Sequence, residues 1–295
     1  MKVVYTGFYT GPGLRIAAVL RIPEDYKEGE KRGGIVVCEG YAGFKEMVAA
    51  RVATTLTGAG YVTVAFDYRG FGSSEGPRWR LIPMEEVEDI RNAMTFLQTR
   101  PEVNAENVGL WGTSLGGGLV VYTSGIDDRV KCTVSNVGFS SGLETMKRRK
   151  TELEFKEFLE EMKEDRFQRV TTGRSKRVDP FSIYLPRPPA DAIEFWKMTR
   201  AQYPERMDMQ IDFEYFERII EFKPIEVVDK ISPRPIMFTY AQKDALAPDA
   251  SLMYEKAKEP KKIHVFNVDH HEIYKPENFN ELMKVTLEWF NQWMR

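Results

Sequence analysis

Residues 108–118 read VGLWGTSLGGG, an apolar run that stops at a glycine, presents one serine and opens into more glycines. Two readings compete for Ser114 between Gly112 and Gly116. In one, the serine sits in a loose glycine turn. In the other, it occupies a strand-to-helix turn so tight that only small residues fit two places before and two after it. The second reading carries chemistry. The amide of the next residue, Leu115, would open a helix and point at any oxyanion formed beside the serine.

The flanking sequence favours the tight turn. Apolar runs rich in β-branched residues occupy 14–22 (LRIAAVLRI), 34–38 (GIVVC), 61–66 (YVTVAF), 107–111 (NVGLW) and 130–137 (VKCTVSNV). Helical periodicity fills 44–59, 83–99 and 115–125 between the later runs. The tail continues with strands at 235–240 and 262–267, each followed by a helix, at 248–258 and 279–294. The opening segments 3–10 and 14–22 are joined by TGPG with no helix between them, which predicts an antiparallel hairpin at a sheet edge. The expected fold class is α/β, a mostly parallel eight-stranded sheet with helices on both faces and a helical cap insertion. GTSLG then lies between a strand and a helix, the context the tight turn demands.

Residues 141–224 interrupt this alternation and are read as the cap, with 1–140 and 225–295 as the core. In that block 34 of 84 residues are charged, about 40% against 29% for the whole chain, so its helices are expected to be well solvated, as in TELEFKEFLEEMKEDRF at 151–167. Twelve aromatics are interspersed, among them Phe155, Phe158, Tyr184, Trp196, Phe213 and Tyr215. They either line a pocket or fasten the block to the core.

A serine hydroxyl is a poor nucleophile until a base removes its proton. The chain has three histidines. His264 lies within the strand KIHVFN and suits a packed or edge position. His270 and His271 fall in the following loop, VDHHEIYK, at the C-terminal edge of the sheet, where sites of open α/β sheets gather. A carboxylate must orient the imidazole. Asp244 follows the strand segment PIMFTYAQK at the same edge. Asp249 is the alternative acid, though its place just after Pro248 suits a charge at a helix start. A second oxyanion donor is needed from CEGYAGFKE at 38–46. Gly40 permits close approach there and Tyr41 supplies the amide, unless the stretch is a plain glycine turn into a helix.

With these residues assembled, the chain resembles the α/β-hydrolase superfamily, in the branch of dienelactone-hydrolase-like and X-Pro-dipeptidyl-peptidase-like esterases that includes polyketide hydrolases and transferases. The resemblance spans about 30–138 and 225–295. FDYRGFGSSEG at 66–76 is similar to the loop after the superfamily's fourth strand, and DHHEIY to its histidine loop. Carried over, it implies a triad of Ser114, Asp244 and His270, oxyanion amides on Leu115 and Tyr41, and a cap at 141–224. There are two departures. Glu39 stands where His or Gln is common before the oxyanion glycine, so it either repels anionic substrates or holds the loop by hydrogen bonds. His271 replaces the usual aromatic.

Composition bounds the remaining readings. A net charge of -2 and a pI near 6.1 give no reason to expect nucleic acid as a partner. No 18-residue apolar stretch occurs, so no membrane partner is expected, and the opening residues lack a secretory leader pattern. Cys38 and Cys132 each fall within an apolar strand, which fits a reducing, cytoplasmic location. No cofactor or metal is implied, since adjacent residues such as those in D-H-H-E rarely converge on one ion. The expected function is a serine hydrolase acting on carboxylic esters of a small-molecule acyl substrate. Thioester hydrolysis, acyl transfer, amide cleavage and C–C hydrolysis use the same machinery. A non-catalytic binding protein on this scaffold is the competing class, and homo-oligomerisation is left open.

Overall fold

The computed structural model describes residues 1–11 and 13–294. The chain opens as the expected hairpin, β1 (Lys2–Thr10) antiparallel to β2 (Leu14–Ile22), with Lys2 opposite Ile22 and Thr10 opposite Leu14. Strand and helix then alternate through β3 (Arg32–Cys38), α1 (Val48–Gly58), β4 (Val62–Phe66), α2 (Pro83–Gln98), β5 (Val103–Thr113), α3 (Leu115–Ile126) and β6 (Val130–Asn136). The elements that follow are α4 (Gly142–Arg148), α5 (Glu152–Thr172), β7 (Arg177–Val178), α6 (Ala190–Gln202), α7 (Pro204–Met207), β8 (Ile211–Asp212) and α8 (Glu214–Glu221). The alternation resumes with β9 (Ile236–Ala241), α9 (Ala247–Lys256), β10 (Lys261–Phe266) and α10 (Pro276–Trp293).

Eight strands form one sheet in the order β1-β2-β4-β3-β5-β6-β9-β10, and β7 pairs with β8 in a separate ribbon. The strands from β4 to β10 run parallel, while β2 is antiparallel to both its neighbours. Side chains alternate between the two faces of each strand. Val36, Val64 and Leu110 meet Ile90, Met94, Leu119 and Val120 of α2 and α3 on one face. Ile35, Val37 and Trp111 meet Val52, Leu56, Leu282 and Phe290 of α1 and α10 on the other. Covering both faces is why the central strands read as unbroken apolar runs. Among the described residues, no helix is long and apolar enough to cross a membrane.

The eight expected strands are the eight of the sheet, with shifted ends. The helix expected from residue 44 begins at Val48, because the segment before it is held as a loop at the sheet's C-terminal edge. β5 starts at Val103, four residues early, where Arg32 of β3 pairs with it.

The block at 141–224 is not simply solvated on its charged side. Asp165, Glu214 and Glu217 are buried and converge on Arg169. Nor do its apolar residues form a separate core. Phe158, Met162, Trp196, Phe213 and Tyr215 belong to the same buried cluster as Phe66 and Val36 of the sheet.

The FDYRGFGSSEG stretch fixes two loops. Asp67, fully buried, accepts hydrogen bonds from the Lys45 amide at 2.8 Å, the Lys45 ammonium at 2.5 Å and the Ser73 amide at 2.8 Å. It thereby ties the loop after β4 to the loop after β3. Arg69 donates to Asp89 of α2 and to Thr10 at the end of β1. Removing one partner of a buried ion pair costs about 3–5 kcal/mol. Asp67→Asn leaves the buried Lys45 ammonium only the partly exposed Glu46 carboxylate, at 3.1 Å, so the variant is expected to lose stability toward the lower end of that scale in denaturant unfolding and to exchange the Lys45 amide faster. An unchanged unfolding midpoint would show that the pair does not hold these loops.

Candidate active site

Ser114 joins β5 to α3 with φ 56° and ψ -119°, in the left-handed region that few side chains tolerate. Packing holds it there. A Cβ at Gly112 would collide with the Gly116 carbonyl, and one at Gly116 with the carbonyls of Cys38 and Glu39. The Ser114 amide donates to the Asn136 carbonyl at 2.9 Å, which anchors the turn to β6.

Three side chains meet in sequence here. Ser114 Oγ lies 3.1 Å from His270 Nε2, and His270 Nδ1 lies 2.5 Å from Asp244 Oδ2. The other Asp244 oxygen accepts from the Leu246 amide at 3.1 Å. Burial works to raise the Asp244 carboxyl. The facing His270 and the Leu246 amide outweigh burial and hold it below the usual carboxylate range. Asp244 follows β9 and His270 follows β10, so both arrive at the same edge as Ser114.

The adjacent histidine turns the other way. His271 donates its backbone amide and Nδ1 to Asp191 Oδ2, both at 2.9 Å, and its ring lies 4.5 Å from that of Phe195. Asp191 and Phe195 belong to α6, so this pair joins the histidine loop to the 141–224 block. His264 in β10 contacts Glu281 of α10 at 3.0 Å.

Gly40 brings the loop after β3 against the serine, since a Cβ there would lie 3.2 Å from Ser114 Cβ. Tyr41, Ser114, Leu115 and His270 line a cavity of about 80 Å³, to which the 141–224 block contributes Thr145, Met146, Tyr184, Tyr215 and Ile219. The aromatics of that block thus divide between lining the cavity and packing into the core. Among the described residues, the amides of Tyr41 and Leu115 donate to no carbonyl of a turn or loop.

Glu39, which the sequence leaves between two roles, holds the loop. It is buried, accepting from the Gly40 amide at 2.9 Å and the Ala49 amide at 2.8 Å in the first turn of α1. Burial pushes its carboxyl up to about 7, against the amides of Ala49, Gly40 and Val48 that favour the anion. Asp249 also differs from the expected helix-end charge. It is in the first turn of α9 but fully buried, accepting from the Ser140 amide at 2.9 Å and from the Ser140 hydroxyl, and it pairs with Arg148. It pins the chain leaving β6.

A buried polar chain beneath the serine has no sequence motif. Tyr274 and Thr113 share a hydrogen bond at 2.5 Å, Asn136 donates to Thr113 at 2.8 Å, and Thr239 donates to Asn136 at 2.7 Å. The only sequence signal is a polar residue at the end of β5 and of β6 and one inside the second half of β9. Among the described residues, no group of three or more His, Cys, Asp or Glu is arranged to hold a metal ion.

The chain belongs to the α/β hydrolases. Its residues 29–182 match the family described as serine aminopeptidase, S33. It is 30% identical over 281 residues to an uncharacterized 31.7 kDa protein from the traX-finO intergenic region of Escherichia coli, covering 94% of this chain and 96% of that one. It is 24% identical over 292 residues to the acyltransferase drtE of Aspergillus calidoustus, covering 92% and 90% of the two chains. The crystal structure of the α/β hydrolase GrgF from Penicillium sp. sh18 superposes with a TM-score of 0.83 at 20% identity, covering 100% of this chain and 99% of that one.

The Asp191–His271 pair predicts a pH dependence of stability. Burial works to raise the Asp191 carboxyl, but the His271 ring and amide hold it well below its ordinary value. Its contribution is therefore full above the unfolded carboxylate pKa, about 4, and is lost as pH falls through the depressed folded value. Burial pushes His271 down, so its protonation below about 6.5 also favours the unfolded chain. The stability gap between wild type and Asp191→Asn is expected to narrow as pH falls below about 4, as read by denaturant unfolding. A gap that stays constant from neutrality to acid would contradict this assignment.

Proposed function

We propose that this hydrolase-family chain is a serine hydrolase that cleaves carboxylic esters through an acyl-enzyme intermediate. The observation that carries the reading is the continuous hydrogen-bonded sequence from Ser114 through His270 to Asp244 beside a lined cavity. Ser114 Oγ attacks the acyl carbonyl while His270 Nε2 takes its proton. The amides of Tyr41 and Leu115 receive the developing oxyanion, the larger share of the rate enhancement in such sites. Collapse expels the alcohol, which leaves with the proton from His270. Water then attacks the acyl-enzyme, giving its proton to His270, and the acid departs as Ser114 regains its hydrogen. Asp244 keeps His270 in the tautomer that presents Nε2 to the serine. Residues 141–224 act as the cap over the acyl group.

Acyl transfer is the second reading, favoured by the relative named an acyltransferase. In it an alcohol replaces water in the second step and every other role is unchanged.

Ser114→Ala is expected to lower kcat on p-nitrophenyl esters by roughly 10⁴–10⁶ and to abolish fluorophosphonate labelling in a folded protein. Retained turnover would end the proposal. Asp244→Asn should lower kcat on the order of 10⁴. Asp249→Asn should act chiefly on melting temperature, because its partners are Ser140 and Arg148. His270→Ala should remove labelling, whereas His271→Phe should retain most of it. The reverse ranking for either pair would reassign the acid or the base.

A further inference from the structure

The cavity beside Ser114 carries more hydrogen-bonding capacity than its own walls satisfy. The Tyr41 hydroxyl, Thr145 Oγ1 and Arg149 Nε are each buried and meet no partner among the described residues, and all three residues line the cavity. Nearly all buried polar groups in folded proteins are hydrogen-bonded, and one left unpaired costs about 1–3 kcal/mol. Three unsatisfied groups on residues that line one cavity call for a common partner rather than three separate defects.

Charge identifies that partner. Arg148 is paired with Asp249, and Lys150 lies 4.8 Å over the Phe158 ring with its ammonium 3.4 Å from the Leu185 carbonyl. Arg149, between them, sits 5.2 Å over the Tyr184 ring and has no ion-pair partner among the described residues. No carboxylate of the cavity lies within ion-pair distance of it, although its charge helps hold the Asp244 carboxyl low. Asp244 is held by His270 and Asp191 by His271, while Asp269 has Lys243 as its neighbouring cation. Arg149 sits beside apolar surface from Leu115, Phe139, Met146 and Ile219, and no carboxylate forms an ion pair with it among the described residues. A half-buried guanidinium whose Nε is enclosed, with hydroxyl donors nearby, matches a carboxylate, which accepts from several donors at once.

We infer that Arg149, with the hydroxyls of Tyr41 and Thr145, forms a recognition subsite for a carboxylate that the substrate carries in addition to its scissile ester. This rests on the reading of Ser114 as the acyl-accepting nucleophile. The substrate class is therefore an ester whose acyl or alcohol part ends in a carboxylate, joined to the reacting carbon by an apolar linker that fits the apolar wall.

The test separates binding from turnover. Full-length Ser114→Ala protein is titrated calorimetrically with linear dicarboxylates from succinate to sebacate and with ω-hydroxycarboxylates of matching length, each beside its neutral methyl ester. At least one free carboxylate is expected to bind about 10-fold or more tighter than its methyl ester, and the series in which it falls assigns the charge to the acyl or the alcohol part. Adding Arg149→Met should weaken that binding by about 10–100-fold, the scale of a charge-assisted hydrogen bond, with Arg149→Lys in between. Tyr41→Phe removes an oxygen that has no protein partner. It should weaken carboxylate binding without lowering the melting temperature, which keeps the test open if Arg149→Met does not fold. Equal affinity for acids and methyl esters, no binding in either series, or binding indifferent to Arg149→Met and Tyr41→Phe would each overturn the subsite. Fluorophosphonate labelling of the wild type reports on Ser114 separately. Labelling without carboxylate preference overturns the subsite alone, and Arg149-dependent binding without labelling overturns the proposed function alone.

Discussion

Gly116 lies so close to the carbonyls of Cys38 and Glu39 that only a hydrogen fits on its Cα, and the C-terminal edge of the sheet is arranged around that contact. It lets the start of α3 lie against the chain leaving β3. From it follow the position of the 39–47 loop, the reach of Glu39 to the first turn of α1, and the nearness of Gly40 to Ser114. Asp67 then ties the same loop to the one after β4 through Lys45. The left-handed backbone at Ser114 persists because these neighbours over-determine it, as strain in a folded chain requires.

Two histidine–aspartate pairs stand side by side with opposite orientations. One faces the cavity and Ser114, and the other faces α6. The two neighbouring rings meet edge to face, 4.8 Å between centroids, while their Nδ1 atoms reach different carboxylates. Under both runs the chain Tyr274–Thr113–Asn136–Thr239, which links the histidine loop to three strands. A buried polar network of this kind stabilises when every member is satisfied and penalises any member left alone. The histidine loop and the turn at Ser114 are thus positioned by one set of hydrogen bonds.

The strands were legible because burial on both faces writes itself as a continuous apolar run, and the turn at 112–116 because sterics admit so few residues there. Loop geometry was less so. Periodicity starts a helix at 44, but hydrogen bonds from Lys45 to Asp67 keep that turn out of the helix, and no local pattern records a partner 22 residues away. Glu39 left two roles open for the same reason, since one of its donors, the Ala49 amide, lies on α1. Asp249 reads as a helix-end charge until Arg148 and Ser140 are brought to it by the fold. The meeting of Ser114, Asp244 and His270 follows from chain order and strand ends. Asp191, Thr113 and Asn136 carry no sequence pattern of their own, because their partners are set by tertiary contacts.

The clasp between His271 and Asp191 has a mechanical consequence. Both hydrogen bonds run from the histidine loop to the first turn of α6, and the apolar residues of the 141–224 block share the buried cluster of the sheet. A swing of that block away from the sheet would pull on the loop carrying His270 and lift its imidazole from Ser114.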